Sequence, residues 1–330
     1  MKYKCIDLFC GAGGMSYGFE RAGFNTIFAV EFNEIYANTY KLNFKNTQVH
    51  IGDIKQISDE EILSLANNKV DIIIGGPPCQ GFSIAGNIAR KFLDDERNHL
   101  FLEYVRFVKI LQPNIFVLEN VSSLVKHNKG KTINEIVDCF EKCGYSVQYK
   151  ILNSVHYNVP QERRRVFVVG TKKGYCFEYP KESKKEITIK EAIGDLPKLE
   201  SGEISGINLH EAMRHSKQML EKMKYVKDGG NRNDIPEPLR PKSGDIRKYI
   251  RYASWKPSFC VTGDMRKIFH YEQNRALTCR ELARLQTFPD SFRFFGNSIQ
   301  IQQQIGNAVP CKLAEAMAKE CMRCLKNEKK

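Results

Sequence analysis

Asp7-Leu8-Phe9-Cys10-Gly11-Ala12-Gly13-Gly14 is the stretch that decides the fold. The apolar run from Cys5 to Phe9 reads as a buried strand and a helical pattern begins near Met15, so the glycines occupy a strand-to-helix turn that lets a ligand approach the backbone. The dinucleotide fingerprint G-x-G-x-x-G wants Gly or Ala at its sixth position, and counting from Gly11 puts Ser16 there. A nicotinamide dinucleotide is therefore disfavoured. Glu31 follows at the end of the second strand, placed to accept hydrogen bonds from both hydroxyls of a ribose. Asp53 ends the third strand in the same manner, where it could accept from an adenine amino group or simply cap the next turn; spacing weighs the two equally. Together these positions suit a nucleoside without a pyrophosphate, which fits S-adenosylmethionine.

Outward from this turn, short apolar runs alternate with helix-length segments. Thr26 to Val30, Gln48 to Ile51, Asp71 to Ile74 and Ile115 to Leu118 read as further buried strands, and Tyr145 to Leu152 and Arg165 to Gly170 as two more. Strands alternating with helices give the class α/β with a mostly parallel sheet. From about Thr171 to Asn274 the text turns Lys-rich and irregular, with turn signals at Asp228-Gly229-Gly230-Asn231 and Pro236-Glu237-Pro238. That segment reads as a smaller second domain, 171–274. A helical pattern resumes from Arg275 to Leu285, and an amphipathic one from Pro310 to Leu325 needs an apolar face to pack on. The economical organisation is a first domain of 1–170 and 275–330, with the basic region inserted.

With 330 residues, 42% of them hydrophobic, the chain can bury a full core. Its 51 Lys plus Arg against 38 Asp plus Glu leave a formal charge of +13, which points towards a polyanionic partner. The excess is uneven: Arg214 to Lys267 holds fourteen basic and six acidic residues, the place to look for phosphate contacts unless it is only a solvated face. No signal-peptide pattern opens the chain and no uncharged apolar run is long enough to span a bilayer, so a cytoplasmic protein without membrane attachment is expected. Eleven Cys, an odd number, read as reduced thiols. Cys321 and Cys324 have metal-like spacing but no second pair follows them, so no metal is expected.

The fourth strand runs into Gly75-Gly76-Pro77-Pro78-Cys79-Gln80-Gly81-Phe82-Ser83. Two consecutive prolines fix a loop whose thiol, Cys79, projects over the C-terminal edge of the sheet, where ligands bind in open α/β folds. A lone Cys is more often buried and inert, but a structural Cys rarely needs a rigid turn around it. The fifth strand delivers Glu119-Asn120-Val121 to the same rim. A carboxyl beside a thiol, without a convincing His, does not suit a Cys protease. It suits attack on an electrophilic ring.

In order, Asp7 to Gly14, Gly75 to Ser83, Glu119 to Val121, Gln161-Glu162-Arg163-Arg164-Arg165, Arg275 to Asp290 and Gln304-Ile305-Gly306-Asn307-Ala308-Val309-Pro310 resemble the motif series of the cytosine-C5 DNA methyltransferases, across nearly the whole chain outside the variable region. The departures are Cys10, where relatives often carry another small residue, and Tyr271, where many have proline. The resemblance implies a Rossmann-like S-adenosylmethionine-dependent methyltransferase fold and an irregular target-recognition domain in the compact bacterial or phage form. It implies that Cys79 attacks C6 of a cytosine flipped out of double-stranded DNA, that Glu119 hydrogen-bonds or protonates N3, and that Arg163 and Arg165 contact the target nucleotide and the catalytic loop, with Arg164 facing solvent. Carried over by position, the cofactor contacts are Phe9, Gly11, Gly13, Gly14, Glu31, Phe32, Asp53, Ile54, Pro78, Leu100 and Asn307, and S-adenosylhomocysteine is the product. Gln80, Ser83, Arg240, Arg247, Arg251, Arg266 and Lys267 are the expected DNA contacts, base readers and phosphate binders together. The loop from Gly81 to Asn98 is long enough to close over DNA. The resemblance also favours a companion restriction endonuclease, and a single target base suits a monomer. Three rival readings are an RNA methyltransferase of the same chemistry, a non-catalytic DNA-binding relative, and a nucleotide-dependent oxidoreductase. The long basic insertion, the retained Cys79 and Glu119, and the glycine spacing speak against each in turn.

Overall fold

β1 (Lys4–Leu8) and β4 (Ile72–Gly75) lie side by side in parallel at the centre of a seven-stranded sheet, their side chains almost entirely buried. Strands buried on both faces in this way are stable only with layers covering each face. The computed structural model describes residues 2–66, 69–78, 99–241 and 248–327. On one side of the centre run β2 (Asn25–Glu31) and β3 (Gln48–Ile51); on the other run β5 (Ile115–Val121), then β7 (Arg164–Thr171), then β6 (Ser146–Asn153), giving the order 3-2-1-4-5-7-6. The order reverses between β1 and β4, the switch point at which open α/β sheets bind ligands. All strands expected from the sequence are present, and β7 alone runs opposite to the other six.

Helices α1 (Gly14–Arg21), α2 (Glu34–Asn43), α3 (Asp59–Ala66), α4 (His99–Leu111) and α5 (Lys131–Glu141) belong to the same unit. Phe101, Tyr104, Phe107 and Val108 of α4 recur at helical spacing, and with Ile133, Ile136 and Phe140 of α5 they join Ile6, Ile73, Phe116 and Leu118 of the sheet in one core. The Phe116 and Phe140 rings lie 4.1 Å apart. Each such ring contributes roughly 1.5–3 kcal/mol by leaving water. Tyr104 fits this apolar layer because its hydroxyl donates to strand carbonyls, standing 3.1 Å from Ile73 O and 3.0 Å from Val117 O.

Two compact units divide the chain: residues 1–153, 164–181 and 313–330, and residues 154–163 and 182–312. Residues 275–312 group with the second unit, and the chain rejoins the first at Leu313 rather than Arg275. Most of the last helix, α10 (Cys311–Lys326), therefore lies in the first unit, where Gly18 of α1 leaves space for the close approach of Ala314. Cys321 and Cys324 are both buried within it.

The second unit is built from short pieces: α6 (Ile189–Ile193), α7 (Lys217–Tyr225), α8 (Cys279–Leu285), α9 (Ser298–Asn307), and a two-stranded pair of β8 (Ile250–Arg251) and β9 (Ile268–Phe269). Its weak periodicity has a physical counterpart, since buried polar groups organise much of it. Arg275 makes a two-pronged bond to Glu281, from Nη1 to Oε2 at 2.8 Å and from Nη2 to Oε1 at 2.7 Å, with both residues at most 1% exposed. Thr278 caps α8 through a reciprocal box with the same Glu281. Burial alone would raise the Glu281 carboxyl, but the Arg275 guanidinium outweighs it and holds it below the usual range. Among the described residues no helix is long and apolar enough to cross a membrane.

Candidate active site

Apart from Leu100, which lies in α4, every expected cofactor residue of the first unit stands at the C-terminal rim of the sheet or in the turn that follows a strand. Phe9 and Gly11 both take positive φ, 62° and 54°, after β1, and Gly13 does so at 93° as the N-cap of α1. The two glycines differ in their surroundings. A Cβ on Gly13 would run into the Phe44 and Tyr40 rings, whereas nothing lies within 4 Å of one on Gly11. Gly13 is needed for packing, and Gly11 faces open space.

Glu31, the last residue of β2, holds this turn in place: its Oε2 accepts from Gly11 N and its Oε1 from Asn33 N, each at 2.8 Å. Burial raises its carboxyl, with the backbone N–H groups of Asn33 and Gly11 opposing the shift. Each oxygen retains a lone pair for a further donor. Phe32 is 76% exposed, an apolar face next to that carboxylate. Asp53 caps the turn that begins at Ile54, accepting from Lys55 N at 3.0 Å through Oδ1, while its Oδ2 has no partner among the described residues. The capping reading of Asp53 therefore holds without excluding the other. Ile54 is buried, Pro78 exposed, and Leu100 packs against the core from α4. This set fits a nucleoside: an open glycine turn, a half-buried carboxylate and an uncovered ring. Asn307 lies in the second unit, exposed at the end of α9.

Behind the turn stands a group that sequence reading passed over. Asp7 is buried, with Ser16 Oγ donating to its Oδ2 at 2.6 Å and the Ser16 and Tyr40 hydroxyls 2.7 Å apart. Burial pushes its carboxyl up to about 7, and the Ser16 bond only partly offsets this.

On the other side of the switch point, Glu119 and Asn120 stand just before the last residue of β5, Val121. Glu119 Oε1 lies 3.1 Å from Arg165 Nε, and a Cβ on Gly76 would stand 3.1 Å from Glu119 Oε2. Glycine at 76 therefore lets the carboxyl sit against the chain that leads to Cys79. The antiparallel course of β7 explains the meeting: its first residues lie beside the last of β5, with Arg165 opposite Val121. Asn120 donates from Nδ2 to Pro77 O at 3.1 Å and so ties the end of β5 to the Pro77-Pro78 turn, a role no motif spacing suggested. Cys79, Gln80, Ser83 and the whole Gly81–Asn98 loop lie outside the described residues, as does Arg247.

Arg163, expected to contact the target nucleotide or the catalytic loop, is enclosed by the protein itself. It belongs to the second unit, is 2% exposed, and donates from Nη1 to Val261 O at 3.1 Å and to Cys260 Sγ at 3.2 Å, and from Nη2 to Gly306 O at 2.9 Å. Gln161 stitches the same region, donating to Leu285 O and accepting from Val261 N. Arg164 is exposed. Arg251 corrects another expectation: a DNA contact by sequence, it is 4% exposed and donates to the carbonyls of Val226, His270, Gln273 and Met223 and to Asn274 Oδ1. A buried guanidinium in a loop-rich unit finds its acceptors in carbonyls that regular structure leaves unpaired. Arg240 bonds Ile235 O and Asn233 O, and Arg266 and Lys267 reach the surface.

Residues 3–323 match the family described as C-5 cytosine-specific DNA methylase. The chain is 57% identical over 330 residues to the Type II methyltransferase M1.HphI of Haemophilus parahaemolyticus, covering 99% of this chain and 89% of that one. It is 34% identical to the Type II methyltransferase M.NgoFVII of Neisseria gonorrhoeae, covering 97% and 87%. Among solved structures, a protein encoded within an Escherichia coli prophage and assigned as a DNA modification methyltransferase superposes with a TM-score of 0.80 at 27% identity, covering 98% of this chain and all of that one.

Proposed function

This chain belongs to the C-5 cytosine-specific DNA methylase family and is a DNA (cytosine-5-)-methyltransferase, and from that membership we propose that it modifies one short duplex sequence, as a Type II enzyme does, using S-adenosylmethionine. The observation that carries the reading is Glu119, held by Arg165 at the strand end and lying against Gly76, three residues before Cys79.

Glu31, Phe32, Asp53 and the Gly11 turn would hold the cofactor, which when bound supplies an electrophilic methyl group. The target cytosine is stacked inside the duplex, so it must rotate out before any side chain can reach its ring. The Cys79 thiolate then adds to C6. Glu119 hydrogen-bonds or protonates N3, drawing charge off the ring so that addition is favourable and C5 becomes nucleophilic. Arg165 fixes the carboxyl that does this. Once C5 carries the methyl group, a base takes the C5 proton, the C6–S bond breaks, and Cys79 leaves as thiolate with the aromatic ring restored.

In this reading the first unit carries chemistry and cofactor, and the Lys-rich segment 171–274 carries target recognition. Modification of one strand at one base suits a monomer acting in the cytoplasm, and the Type II relatives favour a companion restriction endonuclease against which the host DNA is protected. The test is tritiated methyl transfer from S-adenosylmethionine to unmethylated duplex DNA, with bisulfite sequencing of the product. Labelling of cytosine C5 within one motif, abolished in Cys79→Ser, is the expected result. Labelling of RNA or adenine, or full activity in the variant, would refute it.

A further inference from the structure

Asp264, Arg266 and Lys248 form an ion-pair cluster on the surface of the second unit. Arg266 Nε donates to Asp264 Oδ1 at 2.9 Å, and Lys248 Nζ stands 3.3 Å from Oδ2, so both carboxylate oxygens are engaged. The Arg266 side chain is 48% exposed and that of Asp264 41%. Pairs this exposed contribute little to stability, which therefore does not account for the arrangement. Orientation does. With Nε held by the carboxylate, the planar fork cannot swing freely, and its outer edge, Nη1 and Nη2, has no partner among the described residues.

Such an edge is spaced to bond two acceptors at once, as guanine O6 and N7 present themselves in the major groove. A phosphate would also accept from it, but Asp264 repels an approaching anion, whereas the guanine edge is uncharged. The cations better suited to phosphate are nearby and have no carboxylate partner among the described residues: Lys267 and Lys222, with their ammonium groups 5.2 and 5.8 Å from the centre of the Tyr249 ring. We propose that Arg266, buttressed by Asp264, is a specificity-determining residue that reads a guanine of the target sequence. The inference rests on the DNA-modifying reading given above and deepens it.

Bisulfite sequencing of a random duplex library treated with the wild type first fixes the methylated sequence. Each guanine of that sequence is then replaced in turn by 7-deazaguanine, which lacks the N7 acceptor, and binding of the full chain with S-adenosylhomocysteine is measured by competition. One position is expected to weaken the wild type on the order of tenfold and to leave Arg266→Ala unaffected. Asp264→Asn keeps the arginine and raises the net charge by one. It is expected to lose the same discrimination while binding unrelated duplex at least as tightly. If Arg266→Ala instead weakens binding equally on all sequences and flattens the salt dependence, or retains full discrimination, the role of Arg266 is overturned while the enzyme assignment stands. A wild type that labels no cytosine overturns the reading beneath it.

Discussion

Arg165 Nε stands 3.1 Å from Glu119 Oε1, with the two side chains only 17% and 12% exposed. In so shielded a place the guanidinium does more than neutralise: it sets where the carboxyl points. Arg165→Ala is expected to lower kcat for methyl transfer about 10²–10³-fold, the usual effect of removing one positioned group from an active site. Arg165→Lys should recover only part of this, because an ammonium keeps the charge and loses the planar fork. Steady-state kinetics beside cofactor binding by calorimetry checks it; intact kcat with weakened cofactor binding would assign Arg165 elsewhere.

The two glycines of the first turn separate packing from ligand contact. Gly13→Ala must displace the Phe44 and Tyr40 rings and should destabilise the first unit by about 1–3 kcal/mol. Gly11→Ala has room for its methyl group and meets only the modest backbone cost of its 54° φ, about 1 kcal/mol. Its effect should appear instead as S-adenosylmethionine affinity weakened roughly tenfold or more, since the methyl group enters the space the ligand needs. Thermal melts and calorimetry on both variants decide, and unchanged affinity in Gly11→Ala would remove that turn from the cofactor site.

Asp7 predicts a pH dependence of stability. Its carboxyl is raised by burial from 3.8 to about 7, so between those values the folded chain keeps a proton that the unfolded chain releases. The stabilisation is complete below about pH 4 and is lost as pH rises through 7. In Asp7→Asn, which still accepts the Ser16 bond, the loss is absent. Urea midpoints should therefore show the wild type losing on the order of 3–5 kcal/mol relative to the variant from pH 4 to pH 8. Parallel pH profiles would show that Asp7 does not hold its proton in the fold.

Glu281→Gln tests whether the motif around Arg275 serves chemistry or architecture. The change leaves the Arg275 guanidinium buried without its counter-charge, which costs about 3–5 kcal/mol. Differential scanning calorimetry should show a strongly lowered transition in the variant; a wild-type transition with lost activity would instead place Glu281 in the reaction.

The sequence alone determined the alternation of strands and helices, the strand order's ligand-binding rim, and the residue types gathered there, because apolar periodicity and turn residues act over short distances along the chain. Glu31, Asp53 and Glu119 were legible for the same reason: each lies at or within two residues of the C-terminal end of a strand, and those ends share one edge of the sheet. What only the tertiary structure decided concerns groups whose partners are far away in the chain. Asp7 and Arg251 are each a charged letter in a run of text, and nothing local says that one holds a proton in the core or that the other is enclosed by backbone carbonyls. Arg163 and Arg165, two residues apart, part company entirely, one buried in the second unit among Val261 and Gly306, the other turned to Glu119 by the antiparallel strand it begins. Charge and hydrogen-bonding capacity are written in the sequence, but whether a cation meets water, a carbonyl or a carboxylate is settled by which distant segments the fold brings against it.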